Sequence, residues 1–127
     1  MRLLLDTCIF LWLISGDRRL GDSIRDEICE PNNEIFLSSV SIWECVVKNQ
    51  IERLPLPEPP AEYLSEQRNR HNISSLPLDE GSIVHLSKLP LIHRAPFDRM
   101  LICQSIEHNL TIVTVDDTIS SYPVKIM

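Results

Sequence analysis

Apolar residues in this chain fall into short blocks whose spacing alternates between two patterns. Leu3-Leu4-Leu5, stopped by Asp6, and Ile35-Phe36-Leu37 are continuous apolar runs, too short for a helix and read as strands buried on both faces. Thr111-Ile112-Val113-Thr114-Val115 is the clearest strand pattern; residues 73–78 form a weaker one, and residues 124–127 add a last edge strand. The segments between them carry helical signals. Residues 9–14 predict an apolar helix ending before Ser15-Gly16-Asp17, and residues 21–30 a second, with Ile24 and Ile28 one turn apart and Pro31-Asn32-Asn33 as terminator. Hydroxyls from Ser38 to Ser41 cap a helix over 42–50, proline opens another over 61–70, Asp79 caps one carrying Ile83, Val84, Leu86 and Leu89, and residues 98–109 form the last. Helices between successive strands predict an α/β fold: a mostly parallel sheet of four or five strands, covered on both faces.

Pro55, Pro57, Pro59 and Pro60 bar a helix across 54–60, which reads as a stiff connector between two helices of one domain spanning residues 1–127. At 127 residues, 43% apolar and 24% charged, the chain can close one core and is neither membrane-like nor disordered in composition. The uncharged run from Thr7 to Gly16 is ten residues, about half a membrane span, so the amino-terminal segment is expected to be folded structure with no membrane partner. The spacing of Gly16, Gly21 and Gly81 excludes both glycine-rich nucleotide loops. Cys8, Cys29, Cys45 and Cys103 show no zinc-ligand spacing; three sit among apolar neighbours, and buried reduced thiols in a cytoplasmic protein fit best. Twelve Lys and Arg against eighteen Asp and Glu give a net charge of −6, which argues against sequence-independent nucleic-acid coating. Any nucleic-acid chemistry must be local.

Four of the acids fall at informative places. Asp6 follows the leucine strand and Asp116 follows the strand over 111–115, so both lie at carboxyl ends of parallel strands, where open α/β sheets form their ligand crevice. Glu44 interrupts a stripe of Val40, Val47 and Ile51 that should face the sheet, and a carboxylate there is costly to bury uncompensated. Asp98 stands at a helix start on or beside the face of Leu101, Ile102 and Ser105. Taken singly, each has a plainer reading: a polar strand end, a rotated helix, a cap. Gathered together they would repel unless a divalent cation neutralised them. Hard oxygen ligands select Mg²⁺ or Mn²⁺ over zinc, and such ions serve phosphodiester hydrolysis.

Leu3-Leu4-Leu5-Asp6-Thr7, Ser38-Ser39-Val40-Ser41-Ile42-Trp43-Glu44, His93-Arg94-Ala95-Pro96-Phe97-Asp98-Arg99-Met100-Leu101 and Leu110-Thr111-Ile112-Val113-Thr114-Val115-Asp116 together resemble, in order and spacing, the PIN-domain ribonucleases, most closely the VapC-type toxins of VapBC toxin–antitoxin modules. The resemblance covers essentially the whole chain. It implies a three-layer α/β/α sandwich, usually dimeric, that cleaves RNA with Mg²⁺ or Mn²⁺. The family's acids fall on Asp6, Glu44, Asp98 and Asp116, with Asp6 and Asp98 as principal metal ligands, the other two completing the site directly or through water, and Thr114 orienting a carboxylate or water. It also implies a VapB-type antitoxin partner and a toxin–antitoxin hetero-oligomer. One departure is Ala95, where close relatives often carry aspartate. Arg94, Arg99, Lys48 and Arg53 lie near the motifs and are candidate RNA contacts. Trp12 and Trp43 have bases as conceivable partners, yet both sit among apolar neighbours and read as core. Two rival readings are a catalytically silent PIN-like binding module and a phospho-acceptor signalling domain; the latter needs an aspartate after a mid-chain strand, where this chain has its proline connector.

Overall fold

The computed structural model describes all residues except His93 and Arg94. Strands β1 (Arg2–Leu5), β2 (Glu34–Ser38), β3 (Ser74–Leu76), β4 (Thr111–Val113) and β5 (Lys125–Ile126) form one sheet in the order β3-β2-β1-β4-β5, every pairing parallel. The leucine run is its centre. Leu4 pairs with Phe36 on one side and Ile112 on the other. Because successive side chains point to opposite faces, Leu3 and Leu5 enter a core with Ile9, Phe10, Leu13 and Leu64, while Leu4 enters a second with Leu101, Ile102, Ile112 and Ile119. All three leucines are fully buried, each contributing roughly 2 kcal/mol of burial. This explains a run with no alternation.

The helices are α1 (Thr7–Ser15), α2 (Asp22–Cys29), α3 (Ser39–Gln50), α4 (Pro60–Arg70), α5 (Glu80–Val84) with a 3-10 turn at His85–Lys88, α6 (Pro96–His108) and α7 (Asp117–Ser120). Gly16 ends α1 in the left-handed region, φ 66°, where a side chain would be strained. The expected caps form: Ser38 Oγ accepts from Val40 N–H at 3.0 Å, and Asp79 accepts from Ser82 N–H at 3.2 Å. Gln104, wholly buried on α6, lies 2.5 Å from the Ser38 hydroxyl and donates to the carbonyls of Leu76 and Pro77. It ties α6 to the carboxyl ends of β2 and β3.

Several expectations need correction. The strand over 111–115 ends at Val113, because Thr114 and Val115 leave the ladder. The helix over 42–50 begins at Ser39, and that over 98–109 at Pro96. The turn helix α7 is too short for periodicity to reveal, yet β4 and β5 run parallel and need a crossover between them. Trp43 is no core residue: it is 58% exposed, with Phe97 edge-on at 4.8 Å. Trp12 is half-buried under the Arg19 guanidinium, 4.9 Å from its ring centre. Cys45 and Cys103 are buried, Cys8 is half-buried and Cys29 exposed, all as free thiols. Among the described residues, no helix is long and apolar enough to cross a membrane.

Candidate active site

The sheet order makes the site. The chain runs from β1 outward to β2 and β3, then returns to β4 on the other side of β1. At that reversal the connections leaving β1 and β4 diverge and open a crevice at the carboxyl ends. Asp6 is the first residue past β1, held beside β4 by its N–H bond to Val113 O at 3.0 Å. It occupies the cap position of α1 but makes no capping hydrogen bond. Instead the Thr114 hydroxyl accepts from Asp116 N–H at 3.0 Å, which leaves its own proton to donate to Asp6 Oδ2 at 2.7 Å.

Glu44 reaches the same crevice from α3. It is only 8% exposed. The Thr7 hydroxyl lies 2.9 Å from Glu44 Oε1 and shares a 2.8 Å hydrogen bond with Ser41, while Lys48, one turn along α3, places its ammonium 2.6 Å from Glu44 Oε2. Asp98 projects from the first turn of α6, where Pro96 starts the helix and Ala95 before it offers no side-chain cap. Asp116 caps α7, accepting from Thr118 N–H at 2.8 Å. Asp6, Glu44, Asp98 and Asp116, with Thr7 and Lys48, line one cavity of about 350 Å³. A larger cleft, about 570 Å³, is lined by residues such as Leu13, Ile35 and His71 and holds none of the four acids.

Burial pushes the Asp6 carboxyl up to about 6, and the charges of Asp98 and Glu44 act in the same direction against the opposing Thr114 hydrogen bond. Glu44 raises the Lys48 ammonium above its ordinary value. Burial, with Glu44 adjacent, drives the Cys45 thiol up to about 12, so it is no nucleophile. The donor set fits a hard divalent cation: it is all oxygen, and it contains a buried carboxylate whose anionic form lacks a full counter-charge. Among the described residues, however, no group of three or more His, Cys, Asp or Glu is arranged to hold a metal ion by itself. The four acids face one cavity without forming a closed cage.

The expected basic contacts are distributed differently. Lys48 lines the cavity, whereas Arg99 donates to Pro90 O at 2.9 Å and to the Tyr122 hydroxyl at 3.2 Å, beside a separate apolar cleft. Arg53 is exposed beyond α3 and does not line the cavity. Arg94 lies outside the described residues. The sequence reading missed Thr7 as the partner of Glu44, with Ser41 bonded to Thr7 behind it, and Lys48 as its counter-ion; the spacing of Glu44 and Lys48, four apart on a helix, was the available signal.

A family model described as the PIN domain matches residues 3–125. A stretch of 53 residues is 36% identical to Ribonuclease VapC16 of Mycobacterium tuberculosis, covering 42% of this chain and 38% of that relative, so the match spans well under half of the relative's length. Among solved structures, VapBC2 from Rickettsia felis bound to a DNA fragment from their promoter matches with a TM-score of 0.75 at 18% identity, over 100% of this chain and 98% of the other. VapBC-1 from nontypeable Haemophilus influenzae gives 0.70 at 17%, over 100% and 97%. FitAcB from Neisseria gonorrhoeae gives 0.66 at 19%, over 98% and 96%. At such identities the likeness is one of fold.

Proposed function

The chain belongs to the PIN domain family, and from that premise we propose that it is an endoribonuclease, the toxin of a type II toxin–antitoxin module, hydrolysing RNA phosphodiester bonds with a carboxylate-held Mg²⁺ or Mn²⁺. The observation that carries this reading is the convergence of Asp6, Glu44, Asp98 and Asp116, from four separate segments, on one cavity at the sheet's reversal point. Asp6 and Asp98 would hold the ion, with Glu44 and Asp116 completing its surroundings directly or through water. Bound there, the ion would activate water and neutralise charge on the leaving oxygen. Thr114 aims its proton at Asp6 Oδ2 and so fixes which way that carboxylate faces. Among the described residues that line the cavity, Lys48 is the cation, and it would meet a phosphate there. The VapBC and FitAcB structures share the fold and support a VapB-type antitoxin as partner, with a homodimer inside a hetero-oligomer.

Antitoxin-free protein incubated with tRNA, rRNA and mRNA should cleave in Mg²⁺ or Mn²⁺, stop in EDTA, and lose at least 100-fold activity as Asp6→Asn or Asp98→Asn. Cleavage undiminished in EDTA, or in those variants, overturns the metal assignment. No cleavage together with no metal binding would favour the silent binding module.

A further inference from the structure

The metal-nuclease reading leaves open how many ions the cavity takes, and the inference here rests on that reading. Two-ion nucleases hold their cations roughly 3.5–4 Å apart between shared carboxylates. A second ion beside one held by Asp6 and Asp98 would draw on Glu44, the other buried acid of the cavity. Both oxygens of Glu44 are already engaged. Oε1 takes the Thr7 hydroxyl at 2.9 Å, and Oε2 takes the Lys48 ammonium at 2.6 Å. Lys48 is four residues from Glu44 on one helix, so the α3 backbone sets the spacing of the pair. The ammonium also lines the cavity and feels the charge of Asp98. A lysine carries a full positive charge at neutral pH, and here it sits against the carboxylate that a second ion would have to capture.

We propose that the Lys48 ammonium takes the place of a second metal ion, so that each site binds a single divalent cation beside Asp6 and Asp98. Of the two routes left to Glu44, direct contact or contact through water, only the second then remains: Glu44 anchors Lys48 and does not itself touch the ion. Lys48, held by Glu44 at the cavity wall, would then supply a fixed positive charge to the RNA phosphate.

The test counts ions. Antitoxin-free protein is titrated with Mn²⁺ and the free ion read by its electron paramagnetic resonance signal, with circular dichroism as the check on folding. The wild type should bind one Mn²⁺ per chain. Lys48→Met, which releases Glu44, should bind two, and the double variant Lys48→Met/Glu44→Gln should return to one. Glu44→Gln alone should keep its single ion. Two ions in the wild type, an unchanged count in Lys48→Met, or loss of the ion in Glu44→Gln would overturn the proposal. A wild type that binds none at millimolar Mn²⁺ would overturn the metal-nuclease reading with it, whereas a count of two leaves that reading standing.

Discussion

Asp6 is where the demands of folding and of chemistry oppose each other. Its carboxyl is buried and pushed up to about 6 from an ordinary 3.8, so the metal-free fold holds this proton more tightly than the unfolded chain does. The folded value exceeds the unfolded one; the associated stability is therefore complete below about pH 4 and is lost as pH rises through 6, by roughly 3 kcal/mol in total. In EDTA, the urea midpoint of the wild type should fall relative to Asp6→Asn between pH 4 and pH 6.5. Parallel profiles would contradict this account of Asp6. Thr114→Val removes the proton aimed at Asp6 while nearly keeping the side chain's shape. It should weaken Mn²⁺ binding about 10- to 100-fold and leave the fold intact, a result read by calorimetric titration; an unchanged affinity would reduce Thr114 to a structural role. The four acids were legible in sequence because each stands at a strand end, at a helix start or within an apolar stripe. Their partners were not. Nothing in a pattern of apolar spacings says that Thr7 and Lys48 share Glu44 between them, and Trp43 was misread because a helix turns about 100° per residue, which carries it away from the face that Glu44 presents.

Among the elements, length set what was readable. The central strand, α3 and α6 follow from the runs and stripes that build the two cores, and the edge strand expected over 124–127 forms at Lys125–Ile126, whereas α7, with four residues, gave no signal. Asp116 shows the consequence: the crevice expected after a strand is real, but the residue sits three positions beyond Val113, as the cap of a helix that no periodicity announced. Gln104 was passed over for a related reason, since a single polar residue in an apolar helix gives no hint that it is tied to Ser38 and two carbonyls. The start of α6 carries a separate expectation. Ala95 precedes the helix with extended backbone and no side-chain cap, so Ala95→Asp should supply one and stabilise the protein by about 1 kcal/mol, raising the melting temperature by roughly 3–5 °C. No gain in a thermal melt would mean that the open N–H groups of this helix end are already satisfied.

For the molecule as a whole, the net charge of −6 and the acidic cavity describe one situation. Side chains alone offer RNA little attraction, so a bound cation must supply it. Fluorescence anisotropy with a labelled RNA should show weak binding in EDTA and at least tenfold tighter binding once Ca²⁺, which occupies oxygen sites, is added; equal binding in both would point to a basic surface elsewhere. The measurement that bears most directly on the central claim is an anomalous difference map from crystals grown in Mn²⁺. The account predicts a peak in contact with Asp6 and Asp98, within the cavity at the carboxyl ends of β1 and β4. A cavity without a peak at saturating Mn²⁺, or a peak bound only by other residues, would contradict it.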